Sequence, residues 1–185
     1  NVHEGYGGWT AERFASHFTG IARQGDYKER GSPFLYETET GEKQLDFKRY
    51  CTDVHDGVAP DVVTIFLGCN DTFSANDDTI DARIESMFGF LDQLIAMIRR
   101  DAPECRIGLV PPVPPAASQD AFGANYNNGQ TRWQYKRNQH RVVQAMYARY
   151  GIDGDGSVTV VPAFVNLDCK RNYPVTDGVQ VNGVH

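Results

Sequence analysis

No apolar run in this chain is long enough to cross a membrane; its continuous hydrophobic stretches are strand-sized, well short of the roughly 18 residues a span requires. An excess of positive charge is also lacking. Lysine and arginine total 18 against 24 aspartates and glutamates, a formal net charge of −6. Nucleic acid and anionic membranes are therefore not expected partners, since both reward basic proteins. Cysteine is sparse. Cys51, Cys69, Cys105 and Cys169 form no CxxC pair and no zinc-ligand spacing, which argues against a metal or dithiol centre. Most of them are expected to be small buried apolar side chains, and the redox compartment is left open. His3, His17, His55 and His140 are scattered without a helix-facing pair. Neither a metal nor a cofactor is expected. The chain opens on Asn1 rather than Met, and nothing in its first thirty residues resembles a signal peptide.

What is present is an ordinary globular composition: 185 residues, 41% hydrophobic and 23% charged. That suits a single domain over residues 1–185, with a core sizeable enough to need no disulfide lattice.

Residues 1–9 hold Gly5, Gly7 and Gly8 and read as a loop. Thr10 caps an expected helix through about residue 22, with Phe14 and Phe18 one turn apart. Residues 23–44 read as a polar surface excursion, and 45–54 as a short helix with Phe47, Tyr50, Cys51 and Val54 at helical spacing. Val62 to Leu67 is β-branched and nearly all apolar, which suggests a strand covered on both faces. Ile80, Ile84, Met87, Phe88, Leu91, Leu94, Ile95 and Ile98 fit the 3.6-residue period of a long helix over 79–100. A strand over 106–110 runs into Pro111-Pro112 and Pro114-Pro115, which supply no ladder donors. A helix over 131–150, with Val142, Val143, Met146, Tyr147 and Tyr150 as its buried stripe, and a strand over 158–161 complete the pattern. Strand, helix, strand, helix, strand is the signature of an α/β domain with a parallel sheet.

Ligands in such sheets gather beyond the carboxyl ends of the strands. There the first strand enters Gly68-Cys69-Asn70-Asp71, where glycine permits a sharp turn and Asn70 offers an amide. An ordinary Asn-Asp turn would also account for these residues. Gly5-Tyr6-Gly7-Gly8-Trp9-Thr10 is a glycine-rich entry to a helix, with backbone N–H groups available to an anion, but it lacks the spacing and Lys-Ser/Thr ending of a nucleotide loop. Asn182-Gly183-Val184-His185 places a histidine after the third strand.

Together these segments resemble the SGNH, or GDSL-type, esterase and lipase superfamily, named for a serine, glycine, asparagine and histidine in separate blocks. Gly8 matches the glycine block, Asn70 within Gly68-Cys69-Asn70-Asp71 the Gly-x-Asn-Asp block, and His185 the histidine block. The resemblance spans the chain and implies a three-layer α/β/α fold on a flavodoxin-like parallel sheet. It also implies a serine ester hydrolase working through an acyl-enzyme, with His185 as general base and acid and with Gly8 and Asn70 as oxyanion donors. Trp9, Asp71, Asn125 and Tyr126 are the substrate-binding candidates. Polar amides and an aromatic in the loop over 120–130 suit a small acyl or carbohydrate O-acetyl ester.

Two departures stand out. No Gly-Asp-Ser occurs, and none of Ser16, Ser32, Ser74, Ser86, Ser118 and Ser157 lies upstream of Gly8. Asn182 occupies the place of the aspartate that usually orients the histidine, leaving a backbone carbonyl, Asp168 or Asp177 for that task. The expectation is that the family's first strands, nucleophile and last helix lie outside these residues. Without them, Val62 to Leu67 would be an exposed apolar edge. The rival reading is a non-catalytic relative that binds carbohydrate or serves structurally.

Overall fold

The computed structural model describes residues 3–22, 25–26, 28–115, 132–151, 156 and 158–172. Its elements are α1 (Ala11–Ser16), the hairpin strands β1 (Leu35–Glu37) and β2 (Lys43–Leu45), α2 (Phe47–His55), β3 (Val62–Ile65), α3 (Cys69–Thr72), α4 (Ile80–Asp101), β4 (Arg106–Leu109), α5 (Arg132–Tyr150) and β5 (Thr159–Val160), then a 3₁₀ turn at Ala163–Asn166.

β3, β4 and β5 form a three-stranded sheet in that order. Arg106 N–H donates to Asp61 O at 2.9 Å and Val110 N–H to Ile65 O at 2.8 Å. The two chains thus advance together, as parallel strands must. β5 pairs with β4 in parallel, with Gly108 opposite Thr159 and Leu109 opposite Val160. The expected parallel α/β architecture is present.

By compactness the chain divides into residues 1–64 with 85–107, and residues 65–84 with 108–185. In the first unit, Thr10 caps α1 as expected, its hydroxyl accepting from Arg13 N–H at 3.2 Å. The helix is shorter than the expected 10–22. His17 is already extended, and its carbonyl accepts from Ser32 N–H at 2.7 Å. That contact with a distant segment ends α1 before Phe18, so Phe14 and Phe18 do not share a helical face. The expected surface excursion contains the β1–β2 hairpin, antiparallel with Leu35 opposite Leu45. Gly41, at φ 85°, makes its turn, and Glu37 pairs across it with Lys43 at 2.8 Å.

Asp46 caps α2 through Arg49 N–H at 2.7 Å, and Phe47, Tyr50 and Cys51 are its buried face. α4 buries every one of the eight apolar positions picked out by periodicity. Each such side chain contributes about 1.5–3 kcal/mol by leaving water; truncating Leu91, fully buried, to alanine would cost about 2–5 kcal/mol.

β3 departs from expectation. It does not read as covered on both faces: Val62 is 50% and Phe66 54% exposed, and only Ile65 of the strand is buried. Its place at the edge of the described sheet is the reason. The apolar edge anticipated from the sequence is therefore present.

In the second unit, α5 buries Val142 and Met146 as expected, but Tyr147 is 38% exposed and packs edge-on to Phe164 at 6.3 Å. The buried stripe lies instead along Tyr135, Asn138, Gln139, Val142 and Met146. Cys51 and Cys105 are buried, Cys69 and Cys169 half-buried, and all four are free thiols. No helix among the described residues is long and apolar enough to cross a membrane.

Candidate active site

Gly8 and Trp9 lie in the first unit, Asn70 and Asp71 in the second. Asn125, Tyr126 and His185, with Asp177 and Asn182, lie outside the described residues.

The glycine block is a tight turn in which Trp9 N–H donates to Tyr6 O at 3.2 Å, and Gly8 takes a φ of 78°. An added Cβ there would meet nothing within 4 Å. The demand for glycine is thus one of dihedral angle rather than room, since L side chains resist positive φ. Among the described residues, the Gly8 N–H has no hydrogen-bond partner. Neighbouring groups hold the turn in place. Glu4 accepts from the Tyr6 hydroxyl at 2.8 Å and from the Tyr50 hydroxyl at 2.9 Å, tying the loop to α2. Trp9 is only 2% exposed. Its ring meets Tyr6 at 4.7 Å and Phe14 at 4.9 Å, and Arg13 lies over it at 5.2 Å. In this arrangement Trp9 is packing that fixes the turn from behind.

The asparagine block follows β3. Gly68, at φ 114°, breaks the strand and starts α3, a single turn. Both of its backbone groups are held: Asp71 Oδ2 accepts from Gly68 N–H at 3.1 Å, and the Thr72 hydroxyl donates to Gly68 O at 2.9 Å. Asp71 is therefore engaged with the backbone of its own block. Asn70, half-buried, sits between these two braces.

Beneath the block, the Cys69 thiol lies 3.1 Å from the Tyr135 hydroxyl, and Phe73 meets the Tyr135 ring at 5.2 Å. Burial pushes the Cys69 thiol above its ordinary pKa; the hydrogen bond with Tyr135 opposes that rise, and Asp71 adds to it. The thiol is accordingly a poor nucleophile at neutral pH.

Sequence reasoning missed Asn138. Its amide, fully buried, donates to Thr72 O at 3.2 Å and Ala75 O at 2.7 Å, and accepts from Gln134 Nε2 at 3.0 Å. Gln134 also reaches Asp77 at 3.3 Å, where Arg137 makes an ion pair at 3.1 Å. The available signal was spacing: Tyr135, Asn138, Val142 and Met146 fall on one helical stripe, so an amide was sitting at a core position.

A hollow of about 380 Å³ in the first unit is lined by Phe18, Ile21, Leu35, Tyr36 and Arg49 among others, and by no residue of either block. It is not the candidate site.

No curated protein matches the chain. Among solved structures, a protein from Streptococcus pneumonia described as a platelet activating factor is 20% identical, with a TM-score of 0.46 over 75% of this chain and 59% of that one. An M. Smegmatis aryl esterase is 20% identical, with a TM-score of 0.40 over 85% and 67%. A carbohydrate acetylesterase from Sinorhizobium meliloti is 18% identical, with a TM-score of 0.41 over the same shares, 85% and 67%. The chain thus spans 59% of the length of the first of these structures. Residues 1–164, which include both the glycine and the asparagine blocks, match the GDSL-like Lipase/Acylhydrolase family, and the chain belongs to that family.

Proposed function

We propose that the protein is a serine ester hydrolase that cleaves a carboxylic ester through an acyl-enzyme. The observation that carries this reading is the Gly68–Asp71 block, braced at both backbone groups of Gly68 at the end of a parallel strand, in a chain of the GDSL-like family. A serine hydroxyl attacks the ester carbonyl and His185 takes its proton, then returns it to the departing alcohol. Water, deprotonated by the same imidazole, releases the acid. The family resemblance assigns the oxyanion formed in each half-reaction to the Gly8 N–H and the Asn70 amide as its donors. The unengaged Gly8 N–H supports its part. Trp9 and Asp71 serve the substrate pocket by holding Gly8 and Gly68 in shape, and Asn125 and Tyr126 would contact the substrate. Their amide and aromatic chemistry favours a small acyl group on a sugar, an O-acetyl ester, with no cofactor.

None of the six serines in these 185 residues precedes Gly8, the side on which the family resemblance places the nucleophile. The second reading is a non-catalytic relative that binds carbohydrate or serves structurally. The discriminating experiment is hydrolysis of p-nitrophenyl acetate and of an acetylated oligosaccharide by the full-length natural protein. Turnover should fall about 100- to 1,000-fold in Asn70→Ala, the usual cost of one oxyanion donor, and collapse in His185→Ala. Unchanged turnover in both would sink the site assignment. Carbohydrate binding without turnover in the parent protein would establish the second reading.

A further inference from the structure

We propose that Asn138 is a positioning residue for the oxyanion side of the site, setting the placement of the Asn70 amide from 68 residues further along the chain; the inference rests on the reading of Asn70 as an oxyanion donor. α3 is four residues long. One turn of helix has no cooperative stability of its own, because nucleation costs more than a single hydrogen bond returns. Its terminal carbonyls need donors from outside the turn. The Thr72 carbonyl takes one from the Ala75 N–H at 3.1 Å and a second from Asn138. Its Nδ2 donates to Thr72 O at 3.2 Å and to Ala75 O at 2.7 Å, bracketing the exit from α3.

The orientation of that amide is itself determined. Gln134 Nε2 donates to Asn138 Oδ1 at 3.0 Å, so the NH₂ group must face the block. From Thr72 the constraint passes back to Gly68, whose carbonyl accepts from the Thr72 hydroxyl at 2.9 Å. Asn70 lies between Gly68 and Thr72, the two residues this chain of bonds fixes. Every atom in the relay is in the second unit, and Asn138 and Thr72 are both fully buried. A donor that acts only when the oxyanion forms is sensitive to placement, and a displacement of about 1 Å costs on the order of 100-fold in rate.

The test is a double-mutant cycle on the full-length natural protein, with kcat and KM for p-nitrophenyl acetate measured for Asn138→Ala, Asn70→Ala and the pair, each corrected for folded fraction by circular dichroism. Asn138→Ala should lower kcat about 10- to 100-fold with KM within about twofold, the mark of an interaction realised in the transition state. In the Asn70→Ala background the same change should cost less than about threefold, since placing an absent amide has no value. Losses that multiply would overturn the proposal and leave Asn138 as packing alone. If Asn70→Ala by itself leaves kcat unchanged, the oxyanion reading falls and takes the proposal with it. Gln134→Met, which leaves both Asn138 donors in place and releases its oxygen together with the exposed-side contacts of Gln134 to Asp77 and Arg137, is the milder variant for use if Asn138→Ala does not fold. It should cost about 3- to 10-fold in kcat, as one hydrogen bond's worth, and a folded Gln134→Met with parental kcat would equally overturn the proposal.

Discussion

Asp101, at the end of α4, offers a measurable test of how the first unit is held together. Its Oδ2 accepts from Phe47 N–H at 2.8 Å and more weakly from Lys48 N–H at 3.4 Å, so a residue 54 positions away caps the first turn of α2. Arg100 Nε and Nη2 each donate to the same carboxylate at 2.6 Å, and Arg100 Nη2 reaches Leu45 O at 2.7 Å. The carboxylate is 11% exposed, while the guanidinium is 51% exposed. Hydrogen bonds to a shielded charged acceptor are worth about 1.5–3 kcal/mol, and the half-exposed ion pair adds at most about 1 kcal/mol. Asp101→Ala should therefore cost about 2–3 kcal/mol in urea unfolding, with an unchanged m value, and Arg100→Ala about 1 kcal/mol or less.

The pH dependence follows from the same contacts. The Arg100 hydrogen bonds, aided by those from Phe47 and Lys48, hold the Asp101 carboxyl below its ordinary pKa against the opposing effect of burial. A depressed folded-state pKa means the contribution is fully present above the unfolded value of about 3.9. It is lost as pH falls through the lower folded value. The gap between parent and Asp101→Ala should then close in acid, below about pH 4. A gap that persisted unchanged to pH 2, or an Arg100→Ala loss exceeding that of Asp101→Ala, would refute the reasoning.

Three further outcomes are expected. Gly68→Ala should destabilise the protein by about 1–3 kcal/mol, because φ 114° is open to glycine and strained for alanine, as thermal unfolding would register. Gln139 is 2% exposed, and neither atom of its amide has a hydrogen-bond partner among the described residues; Gln139→Met should raise stability by about 1 kcal/mol by removing an unsatisfied amide, and a lower Tm would contradict that. Iodoacetamide should label Cys69 more slowly at pH 8 than a free thiol. It should do so more slowly still in Tyr135→Phe, where the hydrogen bond opposing the upward shift is gone, and faster labelling there would reverse the assignment of cause.

The long elements were legible because their patterns are self-contained. α4 declares itself through eight apolar residues at helical spacing, and Thr10 caps α1 as its side chain predicts. What was hidden depends on distant partners. α1 stops at Ser16 because Ser32 takes the His17 carbonyl, a contact that residues 10–22 do not encode. The hairpin was obscured by three-residue strands, too short for alternation to register. At the site, Gly68-Cys69-Asn70-Asp71 was readable as a motif. The role of Asn138 was not, since an amide on a helix reads as solvent-facing unless its stripe is compared with Val142 and Met146.

The braces on the asparagine block also fix an order of events in folding. Thr72 and Asn138 are 66 residues apart, as are Cys69 and Tyr135. On a growing chain, the block emerges with its own short-range bonds, from Asp71, Thr72 and Ala75, well before the helix that supplies Asn138 and Tyr135. Non-local pairs must first overcome loop-closure entropy. The turn that carries Asn70 therefore gains its outside supports only once a helix synthesised long after it is in place.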